Sequence, residues 1–220
     1  MRRNHLPWIA LLLSAACTTT TGPITARSRG DAASRLTSIR SAALVPMDVK
    51  EYEVSVGGVM EFKEEWSTAA RQALEDALVA QLKSRRIELR PIQPDAETAE
   101  EIQDLRALAE AVNGSIGFQG KRFDYSLGPV APILDRYRAD ALVFVWARGR
   151  MMSGGRKVMS VLGGGENDAG LVTMTLVDRT GDVVWCDTRG RVGGNADLRY
   201  ANSAAEVVRA MLSDLPAAKP

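Results

Sequence analysis

The nearest thing to paired carboxylates in this 220-residue chain is the acidic trio Glu61, Glu64 and Glu65. Two such acids can cleave a glycosidic bond, one giving a proton while the other attacks or activates water. Glu61 and Glu65 share a face only if a helix begins early, and a solvated approach to a helix explains them more simply. Gly163-Gly164-Gly165 offers the backbone freedom of a phosphate cradle, but neither Lys-Ser/Thr nor a helix start follows it. His5 is the only histidine and stands in an N-terminal leader, so a processed chain has no histidine base, triad or metal ligand. Cys186 lies in an apolar run and reads as a small core hydrophobe. Zinc and thiol catalysis lack their parts, and no G-x-S-x-G elbow is present. The expectation is a protein with no enzymatic activity, no catalytic residues, no cofactor and no metal.

The leader is residues 1–16. Arg2 and Arg3 are followed by the apolar run Leu6 to Ala16, which ends in the small residues Ser14, Ala15 and Ala16. This is the pattern of a secretory signal, and the run falls short of the ~20 residues of a membrane-spanning helix. Leu13-Ser14-Ala15-Ala16-Cys17 resembles the lipobox of bacterial lipoproteins, except that Ser14 holds the place usually taken by Leu. The resemblance implies that Cys17 is diacylated, becomes the new N-terminus and is acylated again, with palmitate as the added chain. Thr18 in place of Asp then favours the outer membrane, with the domain on its periplasmic face. An ordinary secretory signal with an incidental Cys17 is the alternative.

Two of the 28 Lys and Arg and none of the 27 Asp and Glu precede Cys17, so the remainder is close to neutral and no global attraction to nucleic acid is expected. Apolar residues at 45% and charged residues at 25% are ordinary for a globular chain with a real core. Residues 17–41, rich in Thr, Ser, Ala and Arg, read as a lipidated cysteine and flexible tether. A single domain follows over 42–216, and 217–220 form a frayed tail.

Within the domain, Ala42 to Val49 predicts a strand with Pro46 marking an edge or a bulge. Tyr52, Val54 and Val56 alternate before a turn at Gly57-Gly58. Ser67 is placed to cap a helix carrying Ala70, Leu74, Ala77, Leu78 and Leu82, with Trp66 as a staple. Ile87 to Ile92 reads as a strand. Thr98 to Glu101 forms a capping box, in competition with Asp95, for a helix with Ile102, Leu105, Leu108, Ala109 and Val112 on one side and a stop at Asn113-Gly114. Ser115 to Phe123 is a strand or a Gly-broken loop, and Pro129 to Tyr137 a short helix. Ala141 to Ala147 is the most apolar run after the leader and predicts a central strand buried on both faces. Leu171 to Val177 and Asp182 to Thr188 flank a tight turn at Asp178 to Gly181. Ser203 to Glu206 reads as a second capping box before a terminal helix.

This order predicts an α/β fold with a mixed sheet and helices packed on it. The strand at Ala42, the helix after Ser67, the run Arg138 to Phe144, and Asp178-Arg-Thr-Gly181-Asp-Val-Val-Trp185 resemble the small α/β domain of envelope lipoproteins. These include the curli secretion lipoprotein, the penicillin-binding-protein activator lipoprotein and the N-terminal domain of the Tol periplasmic protein. The resemblance spans about residues 42–215 and implies action by assembly and contact. The stretch 148–170 reads as an extended basic hairpin or mobile loop, with Arg148, Arg150, Arg156 and Lys157 expected to meet a partner; an inert solvated loop is the alternative. The functional expectation is a lipid-anchored accessory protein of an envelope complex that binds a protein partner. The alternatives are a homo-oligomeric secretion subunit and a carboxylate-dependent envelope hydrolase.

Overall fold

The computed structural model describes residues 26–116, 123–157, 167–193 and 196–217. The chain runs through β1 (Arg27–Ser28), α1 (Ala32–Arg35) and a 3-10 turn (Leu36–Ser38) into β2 (Ser41–Leu44), β3 (Asp48–Val54) and β4 (Met60–Phe62). It continues as α2 (Glu64–Ser84), β5 (Glu88–Pro91), α3 (Ala99–Ile116) and α4 (Ala131–Tyr137). It ends with β6 (Ala141–Met152), β7 (Ala169–Asp178), β8 (Val183–Val192) and α5 (Ala201–Ser213). The eight strands form one mixed sheet in the order β1-β8-β7-β6-β2-β5, with β3 and β4 branching from β6. The expected α/β architecture is the one observed. No described helix is long and apolar enough to cross a membrane.

β6 is the spine. Its β-branched and aromatic residues bury both faces of Ala141 to Ala147, and the strand then continues to Met152. β7 pairs antiparallel along one side of it. On the other side two strands share the work in parallel: β2 pairs with Ala141 to Val143 and β3 with Trp146 to Met152. Proline cannot donate to a ladder, so Pro46 falls in the gap between them, and Val45 closes the junction with its N–H to the Val143 carbonyl at 3.0 Å. The expected break at Pro46 is therefore a handover between two strands, beside the central strand and not at an edge.

The two faces are covered by different helices. On one, α2 and α5 bury Leu44, Val49, Val143, Val145, Met174 and Trp185 with their own Leu74, Leu78, Val208 and Met211. On the other, α3 and α4 cover Ala43, Val45, Leu142, Phe144, Trp146, Val177 and Val183.

Several local expectations change. α2 starts at Glu64 with Lys63 at its N-cap, and Ser67 lies inside the first turn. There its hydroxyl donates to the Lys63 carbonyl at 2.8 Å and accepts the Glu51 N–H at 2.9 Å. The helix begins early because Glu51, beyond the reach of β4, has its backbone satisfied by this turn; the Lys63 N–H donates to the Glu51 carbonyl. Of the two candidates before α3, Asp95 wins: its Oδ1 accepts the Thr98 N–H at 2.9 Å and the Thr98 hydroxyl at 2.7 Å. α3 runs through Asn113-Gly114 to the buried Ile116, while Leu108 faces out at 43% exposure. Ser203 and Glu206 do not cap α5, which starts at Ala201; they hold Arg191 instead, through the Ser203 carbonyl at 3.0 Å and the Glu206 carboxylate at 2.6 Å.

The expected tether up to residue 41 is cut short. Arg27 and Ser28 pair with Cys186 and Trp185 on β8, and Ala32, Leu36 and Ile39 are buried in the core. Arg35 ties this segment to the β7–β8 hairpin, 2.5 Å from Asp178 and 3.0 Å from Asp182. Asp178 also organises its own turn by accepting the Thr180 N–H and hydroxyl and the Asp182 N–H. The low hydrophobicity of 27–41 conceals a three-residue apolar set that the crossing segment lays on the sheet. Leu36→Ala, which a linker would absorb without effect, is expected to cost about 2–4 kcal/mol in denaturant unfolding.

Candidate functional site

The covered and uncovered parts of the sheet are set by the lengths of its elements. α3 and α4 reach only the half of their face where β6 begins. Beyond Trp146 neither α3 nor α4 follows, and the same face continues with Tyr52, Arg148, Arg150 and Leu171, in register across β3, β6 and β7. Leu171 is 45% exposed, Phe62 48%, Val192 49% and Met60 53%. Tyr52 and Phe62 pack edge to face with ring centroids 5.8 Å apart. Between Tyr52, Met60 and Leu171 lies an open depression of about 420 Å³ whose floor is the backbone of Gly149 and Gly170.

The basic residues expected in a loop are placed here, but the loop is smaller than expected. Arg148 and Arg150 belong to β6, Ala169 and Gly170 to β7, because β6 finds ladder partners on both sides to its end. Arg148 donates to the Asp48 carbonyl at 2.7 Å and pairs with the Asp48 carboxylate at 2.5 Å. A helical turn over 154–157 follows β6. Arg156 reaches the Ser55 and Val56 carbonyls at 3.2 and 3.3 Å, and Lys157 pairs with Asp168 at 2.8 Å. Arg156 and Lys157 thus brace the β3–β4 turn and the return into β7. Residues 158–166, with the Gly163 triplet, lie outside the described residues, as do Cys17 and the leader.

The carboxylates weighed for hydrolysis do not converge. Glu61 is on β4 and pairs with Lys63 at 3.0 Å, whereas Glu64 and Glu65 open α2, exposed. Cys186 is buried, and burial first, with Asp187 nearby, pushes its thiol up to about 12. Trp146 and Trp185 are core residues; Trp66 lies under the Arg199 guanidinium, 3.9 Å from the ring centroid. Among the described residues no cluster of three or more His, Cys, Asp or Glu is arranged to hold a metal.

What sequence reasoning missed is an acid on the opposite side of the glycine floor. Glu51, Gly149, Gly170 and Arg191 stand in one row across β3, β6, β7 and β8. Glu51 is fully buried, and neither carboxyl oxygen has a hydrogen-bond partner among the described residues. It fits only because Gly149 lacks a side chain; a methyl group there would collide with the carboxyl. At Gly170 the same absence admits the Ala196 carbonyl, 2.8 Å from where a methyl would sit. The segment 196–200 therefore lies directly on the sheet, where Asp197 chelates Arg199 at 2.8 and 2.5 Å. Burial first, then the neighbouring Asp197, raises Glu51 to about 7 against the pull of Arg199. The one available signal was phase: Glu51 follows Val49 by two residues and so points to the same buried face.

Because the folded state holds the Glu51 proton more tightly than the unfolded chain does, its contribution is full below the ordinary carboxyl range and is lost as pH rises through about 7. Thermal stability is expected to fall from pH 5 to pH 8, the acid's share amounting to at most about 3 kcal/mol. Glu51→Gln should flatten that slope and be the more stable protein at pH 8. Gly149→Ala should destabilise at every pH by about 2–3 kcal/mol through the collision with Glu51.

No family model matches the chain, and no curated protein does. Among solved structures it is similar to the PelC dodecamer from Paraburkholderia phytofirmans in space group P6, at 17% identity and a TM-score of 0.45, over 90% of this chain and 100% of that one. A single-substitution variant of that dodecamer in space group C2 aligns at 17% identity and a TM-score of 0.46, over 89% of this chain and 98% of that one.

Proposed function

We propose that this chain is a lipid-anchored domain of the bacterial cell envelope, held at the periplasmic face of the outer membrane through Cys17. It works by contact and docks a protein partner on the uncovered half of its sheet. The observation that carries the reading is the exposure of Met60 and Leu171 in the lining of one depression, with Phe62 and Val192 exposed on the adjoining strands β4 and β8. Apolar side chains gathered on one face of a sheet mark an interaction surface. The leader and the likeness of Leu13 to Cys17 to a lipobox support the address.

The rim indicates the partner's chemistry. Lys50 and Arg148 share the single carboxylate of Asp48, at 3.8 and 2.5 Å, which leaves positive charge in excess beside the apolar floor. The surface suits an apolar knob ringed by Asp or Glu. Of the four basic residues singled out in the sequence, Arg148 and Arg150 stand at this opening.

Two measurements test the reading. Intact mass and membrane fractionation of the native protein beside Cys17→Ala should show a triacyl-sized increment and membrane retention, both lost in the variant; a free mature chain in the periplasm would remove the anchor. A photo-crosslinker at Leu171 should give one adduct in the native envelope, its crosslinked peptide rich in Asp or Glu and its yield cut at least tenfold by Arg148→Glu. The same probe at Arg209 on α5 should give none. An adduct between two copies of this chain would favour the oligomeric subunit, and no adduct at Leu171 would overturn the docking surface.

A further inference from the structure

The end of the sheet where β2, β5 and β6 begin is the end that the first described segment crosses. Arg27 and Ser28 pair with Trp185 and Cys186 while running antiparallel to β8 toward its start, and residues 31–38 then cross this end to reach β2. Cys17 precedes Ala26 by nine residues, a span of at most about 30 Å even when fully extended. A lipid on Cys17 therefore keeps the domain within about 30 Å of the bilayer without itself choosing which end faces it. The uncovered apolar half-face lies at the other end of β6 and β7, roughly 30 Å further along the strands.

This crossed end carries a cleft of about 520 Å³ onto which Arg40, Lys83 and Arg86 open, with Val79 and Leu89 in its wall. All three cations are exposed. Glu88 also lines the cleft, but Arg90 holds its carboxylate at 2.7 Å. Among the described residues no carboxylate lies within ion-pair distance of Lys83 or Arg86. Arg86 sits at the end of α2 with φ of 64°, the left-handed position at which glycine is favoured, while the Ile87 N–H closes the turn on the Leu82 carbonyl. The chain thus keeps a charge where a side chain is conformationally disfavoured. Long cationic side chains over an apolar wall match a phosphodiester headgroup with its acyl chains beneath.

We infer that this end is a membrane-facing surface, the cleft of Arg40, Lys83 and Arg86 taking the headgroup of an anionic phospholipid, so that the uncovered half-face is held away from the bilayer. The inference extends the lipid-anchor reading but rests on the charge of the cleft and its apolar wall, and it is testable without the lipid. The chain from residue 17 carrying Cys17→Ala is incubated with vesicles of phosphatidylcholine, alone or with phosphatidylglycerol, and sedimented.

Binding is expected only with phosphatidylglycerol and should weaken with salt. Lys83→Gln and Arg86→Gly should each weaken it about fivefold, the equivalent of ~1 kcal/mol per charge. Arg209→Gln, on the outer side of α5, should leave it unchanged. Arg86→Gly should also raise the melting temperature, which separates a lost contact from a lost fold. Equal sedimentation with phosphatidylcholine alone, or full binding by the Lys83→Gln, Arg86→Gly double variant, would overturn the inference. So would inorganic phosphate that competes fully at equal phosphate concentration, since that marks a soluble-anion site. Failure of the anchor itself is read separately, from the mass of native Cys17.

Discussion

A twelve-residue central strand needs hydrogen-bond partners along both sides, and here no single strand supplies one of those sides. Pro46 cannot donate to the ladder, so β2 and β3 divide the flank of β6 between them, and the sheet forks. Toward the start of β6 the fork leads to β5; toward its end it leads to the β3–β4 ribbon. Helices follow the first branch on both faces and the second on only one. The uncovered half-face is thus a consequence of where the spine's partners change.

On the covered face the same distal half is built around polar groups. Glu51 lies over Gly149, the 196–200 segment over Gly170, and Arg191 ends the row beneath α5, held by Ser203 and Glu206. Further along β8, Asp187 and Arg189 are buried together, with Arg189 reaching Asp214 at 2.5 Å. Burial pushes the Asp187 carboxyl up even with Arg189 beside it. Buried charge of this kind adds little net stability but penalises any other register of the strands and helices that enclose it. One layer of backbone, the glycine pair, separates this polar interior from the open depression.

The two ends of the strands carry different chemistry. One carries the cationic cleft; the other gathers exposed aromatic, Met and Leu side chains.

Much of the fold was legible in the sequence because burial imposes periodicity. The run Ala141 to Ala147, the stripe from Ala70 to Leu82 and the turn from Asp178 to Gly181 each state their own structure through local spacing or turn chemistry. Helix starts were less legible: the Ser67 hydroxyl and the Ser203 carbonyl were taken by the tertiary neighbours Glu51 and Arg191, while Thr98 yielded to Asp95, three residues before it. The segment 27–41 looked like linker because three apolar residues in an otherwise polar stretch have no period to betray them. The sequence by itself determined that His5 is the only histidine and that strands and helices follow in an α/β order, both properties of composition and short-range pattern. Only the tertiary structure decided that Leu171 stays exposed while Val172 beside it is buried, and that Glu51 is enclosed while Glu53 is not. Those outcomes depend on which strands and helices run far enough to cover a given square of the sheet, a long-range geometry that no local window contains.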